Sequence, residues 1–370
     1  MGLRQGDPLS PYLFIIIMKL FDDLRQLMIK NRSYGFKFHP KYQEINLTNI
    51  YFVDNLCIVS VADDDSLKAI SDVLKLFGDV TGLHPNLNKS SSFFAGIPTQ
   101  VENTLCGLIG IPKAALPVRY LGISLNTKHL NVVDCRPLVD KIRSKIEGWS
   151  SKHISYAGKL VLINSVFFDL VNYWCQSVFI PEVVCKEIEK IIRSFLWRGK
   201  SESNGVSWKT VILPKKEGGL GVKSIAEWNL TCMSQHILNI YRNKEGMWIK
   251  WINTYMMKGK SVWGVKPKRT DSWTWIELLK IRVSLKPFIQ YAVGNGENVS
   301  FLFDSWHKLG FLNENMSIRD ISLLRIDPND SVARALKKIK WPRGRHATEM
   351  LSVCEGGLPE LNPDCSHVVL

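Results

Sequence analysis

Residues 49–61 read Asn49-Ile50-Tyr51-Phe52-Val53-Asp54-Asn55-Leu56-Cys57-Ile58-Val59-Ser60-Val61. This stretch holds two apolar runs that are too short for helices and are rich in the β-branched and aromatic residues typical of strands. Asp and Asn between the runs tolerate the dihedral angles of a tight turn. The stretch therefore predicts a β-hairpin with Asp54 and Asn55 at its tip.

A long amphipathic helix is predicted before this hairpin. Apolar residues recur at helical spacing from Tyr12 to about Ile29. Ser10 is a residue type that caps helices, and Pro11 suits a first helical turn. We expect Ser10 to be the cap of this helix.

A second amphipathic helix is predicted after the hairpin, beginning at Asp65 and ending near Gly78 or Gly82. The acidic run Asp63-Asp64-Asp65 has two interpretations, a metal site or a helix cap. Acidic residues just before an apolar-periodic segment are more typical of a cap, where they also favour the helix dipole. We therefore predict a cap.

Several segments, taken in order, resemble the second half of the palm of plant non-LTR (LINE-type) retrotransposon reverse transcriptases. Each is a weak signal alone, whereas the ordered series is strong. The palm-like segments are 2–11, the hairpin, the second helix, 81–90 and 120–125. Further segments resemble the helical thumb of that family and the region beyond it, namely 142–149, 158–165, 195–199, 206–209, 218–222, 294–301 and 304–306.

The resemblance implies an α+β fold. It predicts an incomplete reverse-transcriptase palm over residues 1–127, a helical thumb over 128–204 and a helical, Trp-rich extension over 205–312. A basic tail over 313–370, with Gly and Pro near its end, is expected to be loosely ordered. An incomplete palm would leave a sheet edge exposed, and this predicts poor solubility.

The resemblance also assigns roles to residues near the N-terminus. In this family the segment containing Arg4, Gln5 and Gly6, together with Ser10 and Pro11, contacts the template and the incoming nucleotide. A glycine in such a segment lets the backbone approach a ligand closely.

Four other positions receive roles from the same resemblance. Asp54 would be a metal ligand, and Asn55 stands where the family has a second catalytic aspartate. Lys89 lies in the segment whose lysine is near the incoming triphosphate. Leu121 and Gly122 match the primer-gripping hairpin.

The substitution at Asn55 bears on catalysis. Two-metal phosphoryl transfer uses several carboxylates to hold two Mg²⁺ ions about 3.5–4 Å apart. An Asn offers an oxygen without charge, and the family's first metal-binding aspartate lies upstream of the segment with which this sequence starts. We therefore expect an RNA-directed DNA polymerase fragment that does not polymerise, with Mg²⁺ as the ancestral cofactor. The alternative is a non-catalytic, basic remnant that binds nucleic acid.

Composition is compatible with both alternatives. The chain has 370 residues, 45% hydrophobic residues and a formal net charge of +14. Such a charge suits an RNA or DNA template-primer, although it also occurs in proteins that bind nothing anionic. Tryptophans beyond residue 200 are interleaved with lysines, and we favour a core position over base stacking for most of them.

The eight cysteines form no CxxC pair and indicate reduced thiols in a nuclear or cytoplasmic protein. Cys354, Cys365 and His367 are candidate zinc ligands, but three residues at irregular spacing do not complete a tetrahedral site. The apolar segment from Val161 to Ile180 contains several polar residues, so a buried helix is predicted there and no membrane partner.

Overall fold

The computed structural model describes residues 6–31, 35–126, 128–150, 154–197, 206–307, 310–339 and 367–369. These residues form an α+β protein in which helices dominate and the strands are few, short and antiparallel where their register is defined. The chain divides into two compact units, Met1–Val118 and Arg119–Leu370. The predicted boundaries at 127, 204 and 312 remain predictions.

The first unit combines a hairpin with helices. Its elements are α1 (Ser10–Lys30), β1 (Asn49–Phe52), β2 (Asn55–Ile58), α2 (Asp64–Thr81) and α3 (Thr99–Ile109). β1 and β2 are antiparallel, and their register pairs Asn49 with Ile58 and Phe52 with Asn55. The predicted hairpin and both predicted helices are thus present.

The core of the first unit lies between α1 and α2. The rings of Phe21 and Phe77 meet edge to face with centroids 5.4 Å apart. Side chains alternate along β2, so that Leu56 and Ile58 pack against this core while Asn55 and Cys57 are exposed. This packing fixes the hairpin against the two helices and leaves its tip in solvent.

The two predicted helix caps have different outcomes. At α2 the prediction is confirmed, because the Asp63 carboxylate accepts a hydrogen bond from the Ser66 backbone nitrogen at 2.8 Å. At α1 it is wrong: Ser10 is the first helical residue and Leu9 occupies the capping position. The Asp7 side chain instead accepts a hydrogen bond from the Leu9 nitrogen at 2.8 Å. Pro11 lies in the first turn, as predicted.

The second unit begins with a short hairpin and continues as helices. Its elements are β3 (Val118–Tyr120, which straddles the division between units), β4 (Ile123–Leu125), α4 (Arg136–Ser150), α5 (Tyr156–Leu162), α6 (Phe168–Ser177), α7 (Glu182–Trp197), α8 (Trp208–Ile212), α9 (Ile225–Tyr241), α10 (Met247–Trp251), α11 (Trp273–Leu285), β5 (Gln290–Ala292), α12 (Leu312–Asn315), α13 (Ile318–Leu323), α14 (Val332–Lys338) and β6 (His367–Val369).

Two π-helical turns extend helices of this unit. Residues Ile163–Phe167 join α5 to α6 without a break, and Ile252–Met257 continue α10. The first of these turns buries Ile163 and Phe167 in the core. The segment 161–180 is therefore helical up to Ser177, as predicted, and it buries one face in the core while Val161 and Tyr173 stay exposed. Among the residues described, no helix is long and apolar enough to cross a membrane.

A single amide connects α9 to the linker between α6 and α7. The buried Asn229 accepts a hydrogen bond from the Ile180 nitrogen at 3.0 Å. It donates to the carbonyl oxygens of Cys175 and Val178 at 3.0 and 2.8 Å. These hydrogen bonds satisfy three backbone groups that are buried or half-buried.

Most tryptophans beyond residue 200 contribute to packing, as predicted. Trp263, Trp275 and Trp306 are buried, whereas Trp248 is 42% exposed. The chain from residue 313 was expected to be loosely ordered. In the described part of this segment, however, α12 to α14 surround a core that includes Leu324. The apolar residues of that core are too widely spaced in sequence to predict it from periodicity.

Candidate functional site

The hairpin between β1 and β2 turns through two residues, Val53 and Asp54. Asn55 is therefore the first residue of β2 and pairs with Phe52, which corrects the prediction that Asp54 and Asn55 share the tip. Val53 adopts a positive φ of 52°. This conformation is rare for a β-branched residue and indicates local strain at the tip.

The side chains of the hairpin tip are presented to solvent. Asp54 and Asn55 are both exposed, and the Asn55 amide nitrogen donates a hydrogen bond to the Asp54 carboxylate at 3.3 Å. The Asn55 amide thus lies beside the Asp54 carboxylate, at the position where a second carboxylate was expected. Because this donation occupies a carboxylate oxygen, it competes with a cation at the same atom.

A second carboxylate of this unit, Asp22 on α1, has other partners. It accepts a hydrogen bond from the Tyr51 hydroxyl at 3.3 Å and lies 3.6 Å from the Arg25 guanidinium. Partial burial, and then the negative charge of Asp22, raise the pKa of the Tyr51 hydroxyl. Asp22 thereby links α1 to β1.

The described residues do not fit a two-metal centre. No group of three or more His, Cys, Asp or Glu side chains comes together among them to hold an ion. Asp54 and the Asn55 amide oxygen supply one charged and one neutral ligand atom, which is less than a pair of divalent ions needs. Cys354 and Cys365 lie outside the described residues, as does the His367 side chain.

The remaining predicted residues of the first unit occupy loop and helix-start positions. Lys89 ends the short 3₁₀ turn Leu87–Lys89, and its exposed side chain forms no ion pair with another described residue. Gly6 has a φ of 89°, a conformation that favours glycine. Ser10 and Pro11 open α1, and Arg4 and Gln5 lie outside the described residues.

The predicted primer-gripping residues form a tight turn in the second unit. Leu121 and Gly122 join β3 to β4, with φ values of 51° and 84°. Two consecutive positive φ values are typical of a type I′ hairpin. The Tyr173 hydroxyl of α6 donates a hydrogen bond to the Leu121 carbonyl at 2.7 Å, which fixes the turn against the helical region.

Sequence reasoning missed a polar cavity of about 880 Å³ in the second unit. Its walls come from three separated segments, 240–262, 291–304 and 328–334. Asp304 is buried in one wall and accepts hydrogen bonds from the Ser261 hydroxyl and the Ser300 backbone nitrogen, both at 2.6 Å. No local sequence signal predicts the cavity, because the three segments that form its walls are separated by tens of residues.

Comparison with known proteins gives one informative similarity. No protein-family model matches the chain. The chain is similar to a curated protein of Arabidopsis thaliana whose name is "Putative ribonuclease H protein", with 26% identity over 189 residues. The aligned part is 48% of this chain and 30% of that protein, so the chain spans less than a third of this relative.

Proposed function

We propose that this chain is part of an RNA-directed DNA polymerase of the non-LTR retrotransposon type, and that its metal-binding turn no longer supports polymerisation. The observation that carries the proposal is the exposed Asp54 carboxylate at the tip of a two-residue hairpin turn backed by α1 and α2. The ordered series of palm-like and thumb-like segments supports the same conclusion. The similarity to a relative named as a putative ribonuclease H protein is a distant link to nucleic-acid-related function in general.

The proposed palm covers residues 1–127, the thumb 128–204 and the Trp-rich extension 205–312. In this arrangement Arg4, Gln5, Gly6, Ser10 and Pro11 contact template and nucleotide, Lys89 neutralises the triphosphate, and Leu121-Gly122 contact the primer. These roles place cations and backbone donors where a nucleic acid carries phosphates.

The loss of activity follows from charge. Mg²⁺ is held mainly through carboxylates and substrate phosphates, and an amide supplies no negative charge to offset the desolvation of the ion. Asn55 also donates a hydrogen bond to Asp54, and this donation further weakens Asp54 as a ligand. An aspartate at position 55 would add one charge and remove that donor.

Binding of Mn²⁺, a spectroscopic substitute for Mg²⁺, tests this assignment. Asn55→Asp is expected to bind Mn²⁺ at the hairpin at least tenfold more tightly than the wild type, as measured by the electron paramagnetic resonance of free Mn²⁺. Asn103→Asp adds the same charge on an exposed position of α3 and serves as the matched control. Adding Asp54→Asn to Asn55→Asp is expected to abolish the gain. Equal affinities for Asn55→Asp and Asn103→Asp would show that the hairpin is not a metal-binding turn.

A non-catalytic, basic nucleic-acid-binding protein is the second candidate, and the net charge of +14 favours it. Binding to a template-primer through phosphates weakens steeply with salt, because each neutralised phosphate releases counterions. Fluorescence anisotropy measures the affinity at salt concentrations from about 50 to about 200 mM, a range over which such affinities fall markedly. The slope of log affinity against log salt concentration is then the test. Binding that does not change with salt would exclude this candidate.

A further inference from the structure

We propose that the cavity in the second unit binds a phosphate-linked nucleotide unit of a single-stranded nucleic acid. The inference rests on the proposed function in that its ligand is a nucleic acid, and it adds a site of contact in the second unit. About 880 Å³ is within the range of small-molecule sites and accommodates one nucleotide.

Unpaired cations are the first argument. Arg242, Lys260 and Arg334 line the cavity and are exposed. None of the three forms an ion pair with another described residue. Asp330 interacts electrostatically with Arg334, but its ion pair is with Lys338. Exposed cations around one concave surface attract an anion, and phosphate is the anion that guanidinium groups match best.

Two acidic residues line the cavity against three cations, so they do not fully cancel this attraction. The Asp304 carboxylate is occupied by the Ser261 hydroxyl and the Ser300 nitrogen and is almost completely buried. Glu297 is the other acidic residue among those that line the cavity, and its side chain is exposed.

Amides and aromatic rings supply the second argument. Asn295, Asn298 and Asn329 line the cavity, and a side-chain amide offers both a donor and an acceptor to the edge of a base. The half-buried rings of Tyr291 and Phe303 also line it, and a base stacks on such rings. A simple inorganic anion would use the cations but neither of these features.

The walls are held in place before any ligand arrives. Through its two hydrogen bonds Asp304 joins the segment that carries Lys260 to the segment that carries Asn298. Preorganised walls reduce the entropy lost on binding.

The test measures binding of a fluorescein-labelled, 12-nucleotide single strand to the full chain by anisotropy. Arg242→Ala combined with Arg334→Ala is expected to weaken binding at least tenfold. It should also reduce the salt slope by about 1.4, because each lost phosphate contact on a single strand removes about 0.7. Asn298→Asp, which places a carboxylate at the cavity, is expected to weaken binding several-fold.

Matched variants separate this site from general charge effects. Arg193→Ala combined with Lys209→Ala removes two exposed cations outside the cavity and is expected to change affinity less than twofold. Equal losses in the two double variants, or no binding by the wild type, would overturn the inference. Displacement of the strand by micromolar AMP would also overturn it, because the ligand would then be a free nucleotide. None of these results depends on Mn²⁺ binding at Asn55→Asp, so the two proposals fail separately.

Discussion

Burial raises the pKa of the Asp304 carboxyl from 3.8 to about 6, against the opposing effect of its hydrogen bonds from Ser261 and Ser300. The folded state therefore binds more protons than the unfolded state between about pH 4 and pH 6. Since stability falls with pH wherever the folded state holds the additional proton, this group makes the protein less stable as pH rises through that interval. Burial, and then the negative charge of the same carboxylate, raises the pKa of the Tyr291 hydroxyl to about 12.

Asp304→Asn tests this dependence. The amide has no charge to bury, so the variant should lose the decrease in stability between pH 4 and pH 7. That decrease corresponds to about 3 kcal/mol, because the pKa rises by roughly two units and each unit is worth about 1.4 kcal/mol. Urea unfolding at several pH values measures the difference between variant and wild type. The exposed Asp327→Asn is the control, and parallel pH profiles for Asp304→Asn and the wild type would contradict the prediction.

Neighbouring sequence predicts the structural roles of some residues but not of others. Asp63 caps α2 as expected, because its partner Ser66 is three residues away and the signal is contained in the sequence. Ser10 does not cap α1, because Asp7 forms the competing turn. The burial of Asp304 depends on Ser261, more than forty residues earlier in the chain, and no local pattern predicts it.

At the scale of elements, Asn229 on α9 is the main polar contact to the α6–α7 linker. Asn229→Ala leaves the Ile180 nitrogen and two carbonyl oxygens buried without partners. Each such group costs about 1–3 kcal/mol, so the variant should lower the free energy of unfolding by about 3 kcal/mol or more. Urea denaturation measures this loss. Gln235→Ala, an exposed change on the same helix, should cost less than about 0.5 kcal/mol.

One face of α1 carries an unusual amount of exposed apolar surface. Tyr12, Ile15 and Ile16 are 68%, 66% and 65% exposed. Exposed apolar patches promote association. Ile15→Lys combined with Ile16→Lys should therefore reduce self-association in sedimentation velocity, without a loss of helix stability, because Lys is a better helix former than Ile.

Val80→Lys combined with Leu76→Lys is the matched control for this variant, since the two residues are 62% and 46% exposed on a different helix. It should leave self-association almost unchanged. If the two variants reduced self-association equally, the effect would belong to added charge and not to the α1 face.

Element types were largely predictable, because periodicity in α1 and α2 and the two short runs of the hairpin are local signals. The exact position of the turn was not predictable. Val53 is a poor residue for a positive φ, so the sequence favoured Asp54 and Asn55 at the tip. Packing of Leu56 and Ile58 against α1 and α2 determines the register that places Val53 there.

At the scale of the whole molecule, buried thiols report on the core of the second unit. Cys135, Cys175, Cys185 and Cys232 are buried. Burial raises the pKa of the Cys135 thiol to about 11 and of the Cys185 thiol to about 12. Because the thiolate is the reactive form, these groups should be inert in the folded protein at pH 8.

A variant in which the other four cysteines are serine makes this measurable. Those cysteines are at positions 57, 106, 354 and 365. Reaction with Ellman's reagent should release almost no chromophore from the native variant and four equivalents in denaturant. Rapid reaction without denaturant would contradict the burial of these thiols.

The division into two units and the cavity were beyond the reach of sequence patterns. The cavity joins three segments that are separated by tens of residues. Composition predicted an anionic partner from the net charge of +14, but it could not indicate which cations share a surface. Arg242, Lys260 and Arg334 come together only through the packing of helices and loops.

The π turn Ile163–Phe167 has a consequence for how this protein can change length. A π turn accommodates an additional residue within a continuous helix. Deleting one residue there would remove the bulge and restore regular α-helix, while the residues after it keep their present faces. Val171 and Trp174 would then stay in the core. A single-codon deletion at this turn should therefore leave a folded protein, whereas the same deletion in a regular turn of α5 should rotate the residues after it by about 100° and prevent folding.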